Sequence, residues 1–187
     1  MLQTLRLDSV GRLTAVVPYL CYARSDKKDQ PRVPITARLV ADMIGIAGAD
    51  RYITMDLHAG QIQGFFNIPV DELTALPILA RHFKEQNLSD PVVVAVDIGI
   101  SKRARDMAAR LKVPLAIIEK RRSGNDDSVE TLNVIGDVSG KVALTFDDEI
   151  DTAGSMAAAA RALMEAGASR IFSCCTPVSY THLRAHE

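Results

Sequence analysis

The chain has 187 residues, 48% of them hydrophobic and 24% charged, with a formal net charge of −1. It can bury a core of globular size, and so balanced a charge argues against broad attraction to nucleic acid or to an anionic membrane. No apolar run approaches the roughly 20 residues that span a bilayer, the start "MLQTLRLDSVGRL" lacks the apolar stretch and cleavage site of a signal peptide, and the spacing of Cys21, Cys174 and Cys175 suits neither a disulfide framework nor a metal site, which points to a reducing cytoplasm.

In chain order, short β-branched runs alternate with longer amphipathic ones. "LTAVVP" (13–18) reads as a strand, and "TARLVADMIGIAG" (36–48) as a helix ending at Gly48. A strand "RYITMD" (51–56) and a helix "LPILARHFKEQN" (76–87) follow. Next come the strand "PVVVAV" (91–96) and the helix "SKRARDMAARL" (101–111), for which Ser101 is the expected N-cap. Strands are expected at "LAIIEK" (115–120) and "KVALTFD" (141–147), then a helix at 153–167 closed by Gly167. The last strand is "RIFSCC" (170–175), where Cys174 and Cys175 pack as small apolar residues. Alternation of this kind predicts an α/β protein of parallel sheets flanked by helices.

Two stretches echo each other. "ADMIGIAGADRYITMD" (41–56) and "RALMEAGASRIFSCC" (161–175) share a helix, Ala-Gly-Ala, a polar pair and a strand, which suggests parts of two related domains. Patterning lapses over "NIPVDELTA" (67–75), so the boundary is expected there, with one domain ending in 1–71 and most of another in 72–176. The tail "PVSYTHLRAHE" (177–187) has no apolar periodicity and is read as a non-native appendage.

Chemistry concentrates at "FDDEIDTAGS" (146–155), where Asp147, Asp148, Glu149 and Asp151 stand at a strand end and Thr152, Ala153, Gly154 and Ser155 open a helix. Ligands of open α/β sheets sit beyond such strand ends, and a helix N-terminus offers backbone N–H groups to a phosphate. Carboxylates repel phosphate, so they need hydroxyl donors or a metal: the combination suits a phosphorylated sugar. Three other segments are ambiguous by themselves. "PYLCYARSDKKDQPRVPI" (18–35) could cradle a polyphosphate or be a solvated charged loop. His58 in "MDLHAGQIQGFF" could be a ligand or a structural hydrogen-bonder, and "IEKRRSGNDD" (118–127) a lid or an exposed hairpin. Asp97 and Gly99, at another strand end before a helix, suit a phosphate or Mg²⁺.

"FDDEIDTAGS" resembles the ribose-phosphate loop of the type I phosphoribosyltransferase fold. Jointly with "YARSDKKD", "DLHAGQIQGFF", "DIGISKRA" and "EKRR", it makes residues 1–176 resemble the ribose-phosphate pyrophosphokinase family. The resemblance implies diphosphoryl transfer from ATP to the anomeric hydroxyl of ribose 5-phosphate, for nucleotide biosynthesis. It further implies that Arg24, Ser25, Asp29 and His58 face ATP and that His58 and Asp97 hold Mg²⁺. Lys120 and Arg122 would lie on a catalytic loop, while Asp147, Asp148, Asp151, Thr152, Ala153, Gly154 and Ser155 hold ribose 5-phosphate. Ser25 departs from the Gln that many members carry, keeping a hydroxyl with less reach. The family's opening segment and its C-terminal end are expected to be missing from this fragment, and family members are expected to be homo-oligomers. A phosphoribosyltransferase, or a non-catalytic partner subunit, are the alternatives; the presence of His58, Asp97, Lys120 and Arg122 favours an enzyme.

Overall fold

The computed structural model describes residues 1–122, 130–150 and 152–176, with the backbone alone at 121, 122, 130 and 131. The chain forms two compact units, Met1–Thr74 and Ala75–Glu187.

The first unit holds α1 (Leu2–Leu7), β1 (Thr14–Val16), α2 (Thr36–Ile46), β2 (Arg51–Met55), a 3₁₀ turn (Gly60–Phe65) and β3 (Val70–Leu73). Its three strands are parallel, in the order β1-β2-β3. Tyr52, on the buried side of β2, stacks on Phe66 with ring centroids 4.4 Å apart. Ala15, Ala41, Leu57 and Ile62 close the core around them. The stretch whose patterning lapses contains a strand. β3 reads as polar because Asp71 and Glu72 fill half of its four positions, and it is held by pairing with β2 and by an Arg51–Asp71 ion pair.

The second unit holds α3 (Leu76–Glu85), β4 (Pro91–Ala95), α4 (Ser101–Leu111), β5 (Leu115–Arg122), β6 (Glu130–Ile135), β7 (Val142–Asp147), α5 (Gly154–Glu165) and β8 (Arg170–Cys175). The sheet order is β6-β5-β4-β7-β8. All neighbours are parallel except β5 and β6, an antiparallel edge that the alternating pattern does not announce. Val92 through Ala95 are fully buried, as expected of a central parallel strand covered on both faces. Met107, Ile118, Phe146 and Leu163 pack around them.

Ser101 is not the cap of α4. The helix starts at Ser101 with Ile100 at the cap position, and the Asp97 carboxylate accepts the Ile100 N–H at 3.0 Å. Cys174 is structural: its thiol donates to the Thr145 carbonyl, and burial pushes it up to about 12.

The echo between 41–56 and 161–175 is one local geometry built twice. Gly48 and Gly167 sit at φ 101° and 89° just after α2 and α5. The following Ala49 and Ala168 are buried, and their N–H groups reach back to Ile44 and Leu163. The next residue then donates to the start of a neighbouring strand, Asp50 to the Leu13 carbonyl and Ser169 to that of Lys141. Glycine is required because the left-handed region costs other residues about 1–2 kcal/mol. At Gly167 a Cβ would also stand 3.2 Å from Ser139 Oγ. Gly167→Ala is therefore expected to lower the stability of the second unit by about 1–2 kcal/mol, read as a drop in urea midpoint; an unchanged midpoint would show that this turn does not govern the helix end.

Candidate functional site

The carboxyl ends of β4 and β7 form one rim. The two strands are paired in parallel, with Ala95 opposite Phe146, so the residues that follow each strand emerge side by side. Asp97 leaves β4 and folds back to accept the Ile100 N–H. A Cβ on Gly99 would come 3.1 Å from Asp97 Oδ1, so a larger residue there would press on this carboxylate. Asp147 ends β7, and its carboxyl accepts the Asp148 N–H at 2.8 Å. Burial, then the hydrogen bond and charge of Asp148, and more weakly the charge of Asp97, push Asp147 up to about 7. Three carboxyls thus share a space in which one of them titrates near neutrality.

Beside this rim, α5 opens without a side-chain cap, and Ala153 at its cap position has φ 62°. Ala153 has no side chain that could compete for the leading N–H groups of the helix, which favours anion binding there. Gly154 and Ser155 are exposed and, with Lys120, Val96, Leu132, Ala158 and Ala159, line a cavity of about 240 Å³. Lys120 and Arg122 stand on β5, opposite Leu132 and Glu130 of β6, rather than on a loop. A ladder forms there because Thr131–Ile135 offers a β-prone partner that the run of cations conceals. The segment between the two strands, residue 151 and the tail 177–187 lie outside the described residues, and so does the expectation for Asp151.

The ATP-side candidates belong to the first unit. Arg24, Asp29 and His58 are all exposed. Ser25 is committed within its own loop: its hydroxyl donates to the Pro34 carbonyl at 3.1 Å and accepts the Thr36 N–H at 3.2 Å. Its carbonyl accepts the Ala37 N–H, so Ser25 ties the loop to the start of α2. With its proton used, that hydroxyl keeps one lone pair for any ligand. Two loops are joined where Gln61 Nε2 donates to Asp26 Oδ2 at 2.7 Å; Asp26 is 8% exposed. Glu72 on β3 accepts from the Leu57 N–H at 3.1 Å and from the Gln63 amide. Sequence reasoning did not single out Asp26, Gln61, Gln63 or Glu72, because each works through a partner distant in the chain. His58 belongs to the first unit and Asp97 to the second.

Comparison with known proteins gives two separate family matches. Residues 71–182 match the family model described as the phosphoribosyl transferase domain. Residues 1–48 match the N-terminal domain of ribose phosphate pyrophosphokinase. The chain belongs to the ribose-phosphate pyrophosphokinase family. Within that family it is 52% identical over 179 residues to ribose-phosphate pyrophosphokinase of Clostridium perfringens and 54% identical over 178 residues to that of Clostridium acetobutylicum. Each alignment takes in 94% of this chain and 56% of the relative, so the chain spans little more than half their length. The crystal structure of phosphoribosylpyrophosphate synthetase from Mycobacterium smegmatis superimposes with a TM-score of 0.86 at 43% identity, covering 95% of this chain and 58% of that one. The type I phosphoribosyltransferase-like α/β fold expected from the acidic loop is thus shared with a solved family member. Among the described residues no helix is long and apolar enough to cross a membrane.

The raised Asp147 makes a signed prediction. In the folded chain it keeps its proton up to about pH 7, whereas in the unfolded chain it loses it near 3.8. The folded state therefore binds more protons between these values, and the contribution of this group to stability falls as pH rises through the window. Asp147→Asn should raise the unfolding midpoint of the second unit at pH 8 by about 2–4 °C, a gain discounted for solvent screening, and change it little at pH 4. Thermal scans at both values check this, and a gain of equal size at pH 4 would remove the ionised carboxylate as its cause.

Proposed function

We propose that this chain carries the ribose 5-phosphate half and part of the ATP half of a ribose-phosphate diphosphokinase, which transfers diphosphate from ATP to the anomeric hydroxyl of ribose 5-phosphate. The observation that carries the reading is that, within one unit, Lys120 and the exposed start of α5 line a single cavity, while β7, the strand that leads to that helix, ends in the acidic rim. The helix start suits a 5-phosphate and the carboxylates suit ribose hydroxyls, which donate to them. The Clostridium relatives are named for this activity and share about half of the aligned residues. The match of 1–48 to a domain named for ribose phosphate pyrophosphokinase favours this over a plain phosphoribosyltransferase. A cytoplasmic, homo-oligomeric enzyme of nucleotide biosynthesis is the setting this implies.

In the proposed reaction the anomeric oxygen attacks the β-phosphorus of ATP, the bond from that phosphorus to the bridging oxygen breaks, and AMP leaves with that oxygen while the hydroxyl proton is lost. Transfer of this type depends on positioning and on neutralising phosphoryl oxygens. The Lys120 ammonium, on the cavity wall shared with Gly154 and Ser155, is placed to meet charge on the transferring group. Arg122, two residues further along β5, is assigned the same task. Arg24, Ser25, Asp29 and His58 would hold the nucleotide, and Thr152 through Ser155, with Asp147, Asp148 and Asp151, the sugar phosphate. The Asp97 carboxylate is the hard oxygen donor that Mg²⁺ takes, with His58 as the other proposed protein ligand. Among the described residues no group of three or more His, Cys, Asp or Glu side chains could hold a metal. Bound there, Mg²⁺ would supply charge neutralisation of the diphosphate.

³¹P NMR of the chain with Mg²⁺, ATP and ribose 5-phosphate tests the reading. The expected products are AMP and phosphoribosyl diphosphate, with Lys120→Ala slowing turnover by about 10²–10³-fold, the effect of deleting one donor to transition-state charge. Ribose 5-phosphate affinity, measured by titration calorimetry, should stay within about twofold in that variant, since Lys120 acts on the group in transit. Absence of ribose 5-phosphate binding would overturn the assignment of the α5 start, and a requirement for a nucleobase would turn the reading to a phosphoribosyltransferase.

A further inference from the structure

We propose that Glu72 is the positioning residue of the His58 loop, holding the turn that presents His58 to the nucleotide; this rests on the functional reading above. Its two carboxylate oxygens grip the loop on either side of His58: Oε1 accepts the Leu57 N–H at 3.1 Å, and Oε2 accepts the Gln63 side-chain amide. The residues between those two contacts include His58, which is exposed, and Ile62, which is fully buried and anchors the 3₁₀ turn. Glu72 is itself fixed by β3, where it stands opposite Thr54 of β2.

A second, independent feature shows what the grip resists. Asp56, the residue before Leu57, has φ 44°, a backbone region that L-residues avoid. Such a conformation persists only where its surroundings over-determine it. On one side the Asp56 N–H continues the β2–β3 ladder by donating to the Leu73 carbonyl at 2.9 Å. On the other, the next N–H, that of Leu57, is held by Glu72. Releasing Glu72 frees the second of these restraints and lets the strained turn relax, with His58 two residues beyond it. The effect reaches further, because Gln61 of the same loop donates to buried Asp26, which lies between Arg24 and Asp29. Glu72 therefore sets one loop directly and the neighbouring cationic loop through Gln61 and Asp26.

The test uses the full chain with three variants: Glu72→Ala, Glu72→Gln, and Glu72→Gln combined with Gln63→Glu. Loop geometry is read from the backbone amide resonances of Leu57 to Gly60 and from exchange of the Leu57 amide; ligand binding is read by calorimetry with Mg²⁺-ATP and separately with ribose 5-phosphate. Glu72→Ala is expected to shift those resonances, speed Leu57 exchange roughly tenfold and weaken Mg²⁺-ATP roughly tenfold, the scale of one charge-assisted hydrogen bond. Ribose 5-phosphate affinity should stay within about twofold, because its proposed site is built in the other unit. Glu72→Gln keeps an oxygen for the Leu57 N–H but loses the charge and needs the Gln63 amide to turn over, and adding Gln63→Glu restores a carboxylate–amide pair with the roles exchanged, so the double variant should recover most of what Glu72→Gln loses. A residue that merely stabilised β3 would show no such recovery. Unchanged Leu57–Gly60 resonances in Glu72→Ala would overturn the proposal, as would shifted resonances with Mg²⁺-ATP affinity intact. If the unsubstituted chain binds no Mg²⁺-ATP, the functional reading fails instead, and the loop resonances alone decide whether Glu72 braces the turn.

Discussion

The parallel pairing of β4 with β7 is the constraint on which the second unit depends. Adjacent parallel strands run in the same direction, so both chains leave the sheet on one side, and side chains just past their ends become neighbours. Ala95 opposite Phe146 puts Asp97 and Asp147 at such ends. Charges gathered there belong to no element's interior and cannot be dispersed without breaking the strand register. The upward shift of Asp147 is the direct consequence: part desolvation by the sheet end, part proximity of Asp148 and Asp97.

The first unit uses the same arrangement with different chemistry. β2 and β3 are also parallel, and the loop after β2 carries His58. Here the loop is long enough to need its own support, which comes from Glu72 on the neighbouring strand and from Asp26 through Gln61. Hydrogen bonds of this kind each contribute only about 0.5–1.5 kcal/mol net to stability. Their value lies in fixing a backbone path, which is why their partners are main-chain N–H groups and loop amides rather than isolated charges. Arg6 does comparable work at the other end of the sheet, donating to the Gly48 carbonyl and to Asp50, whose carboxylate in turn accepts the Leu13 N–H.

What the sequence discloses follows from how local each interaction is. Buried strands such as 91–95 are legible because four consecutive side chains face apolar surroundings, and helices such as 101–111 because their apolar positions recur on one face. The glycines at 48 and 167 are legible as helix ends because left-handed backbone selects them. By contrast, α1 is six residues long with no buried side chain, and Arg6 secures it through partners more than 40 positions away. β3 and β6 exist by pairing, not by pattern. The acidic rim was visible as a motif, yet its electrostatics were not, since Asp97 and Asp147 are 50 positions apart in the chain. Ser25 shows the same limit: its hydroxyl reads as wholly available to a ligand, whereas the Pro34 carbonyl and Thr36 N–H leave it one lone pair.

Locally unfavourable features are not spread evenly over the chain. Some left-handed non-glycine residues are ordinary: Lys112 closes α4, and Asn87 follows α3. Others have no such role. Asp56 precedes the His58 loop, Tyr22 and Arg32 lie within the segment that holds Arg24 and Asp29, and Ala153 opens α5. Add the raised Asp147, and such features recur on three loops, although Ser9, Asn87, Asp90 and Lys112 carry left-handed backbone elsewhere. A chain optimised for stability alone would place glycine at 56 and 153, an amide at 147 and a capping side chain before α5. Under the proposed function, each of those changes would remove something a phosphorylated sugar or nucleotide needs: an ionisable acceptor, free N–H groups, or a turn with one fixed shape. The cost retained on those loops therefore supports the proposed site independently of motif likeness.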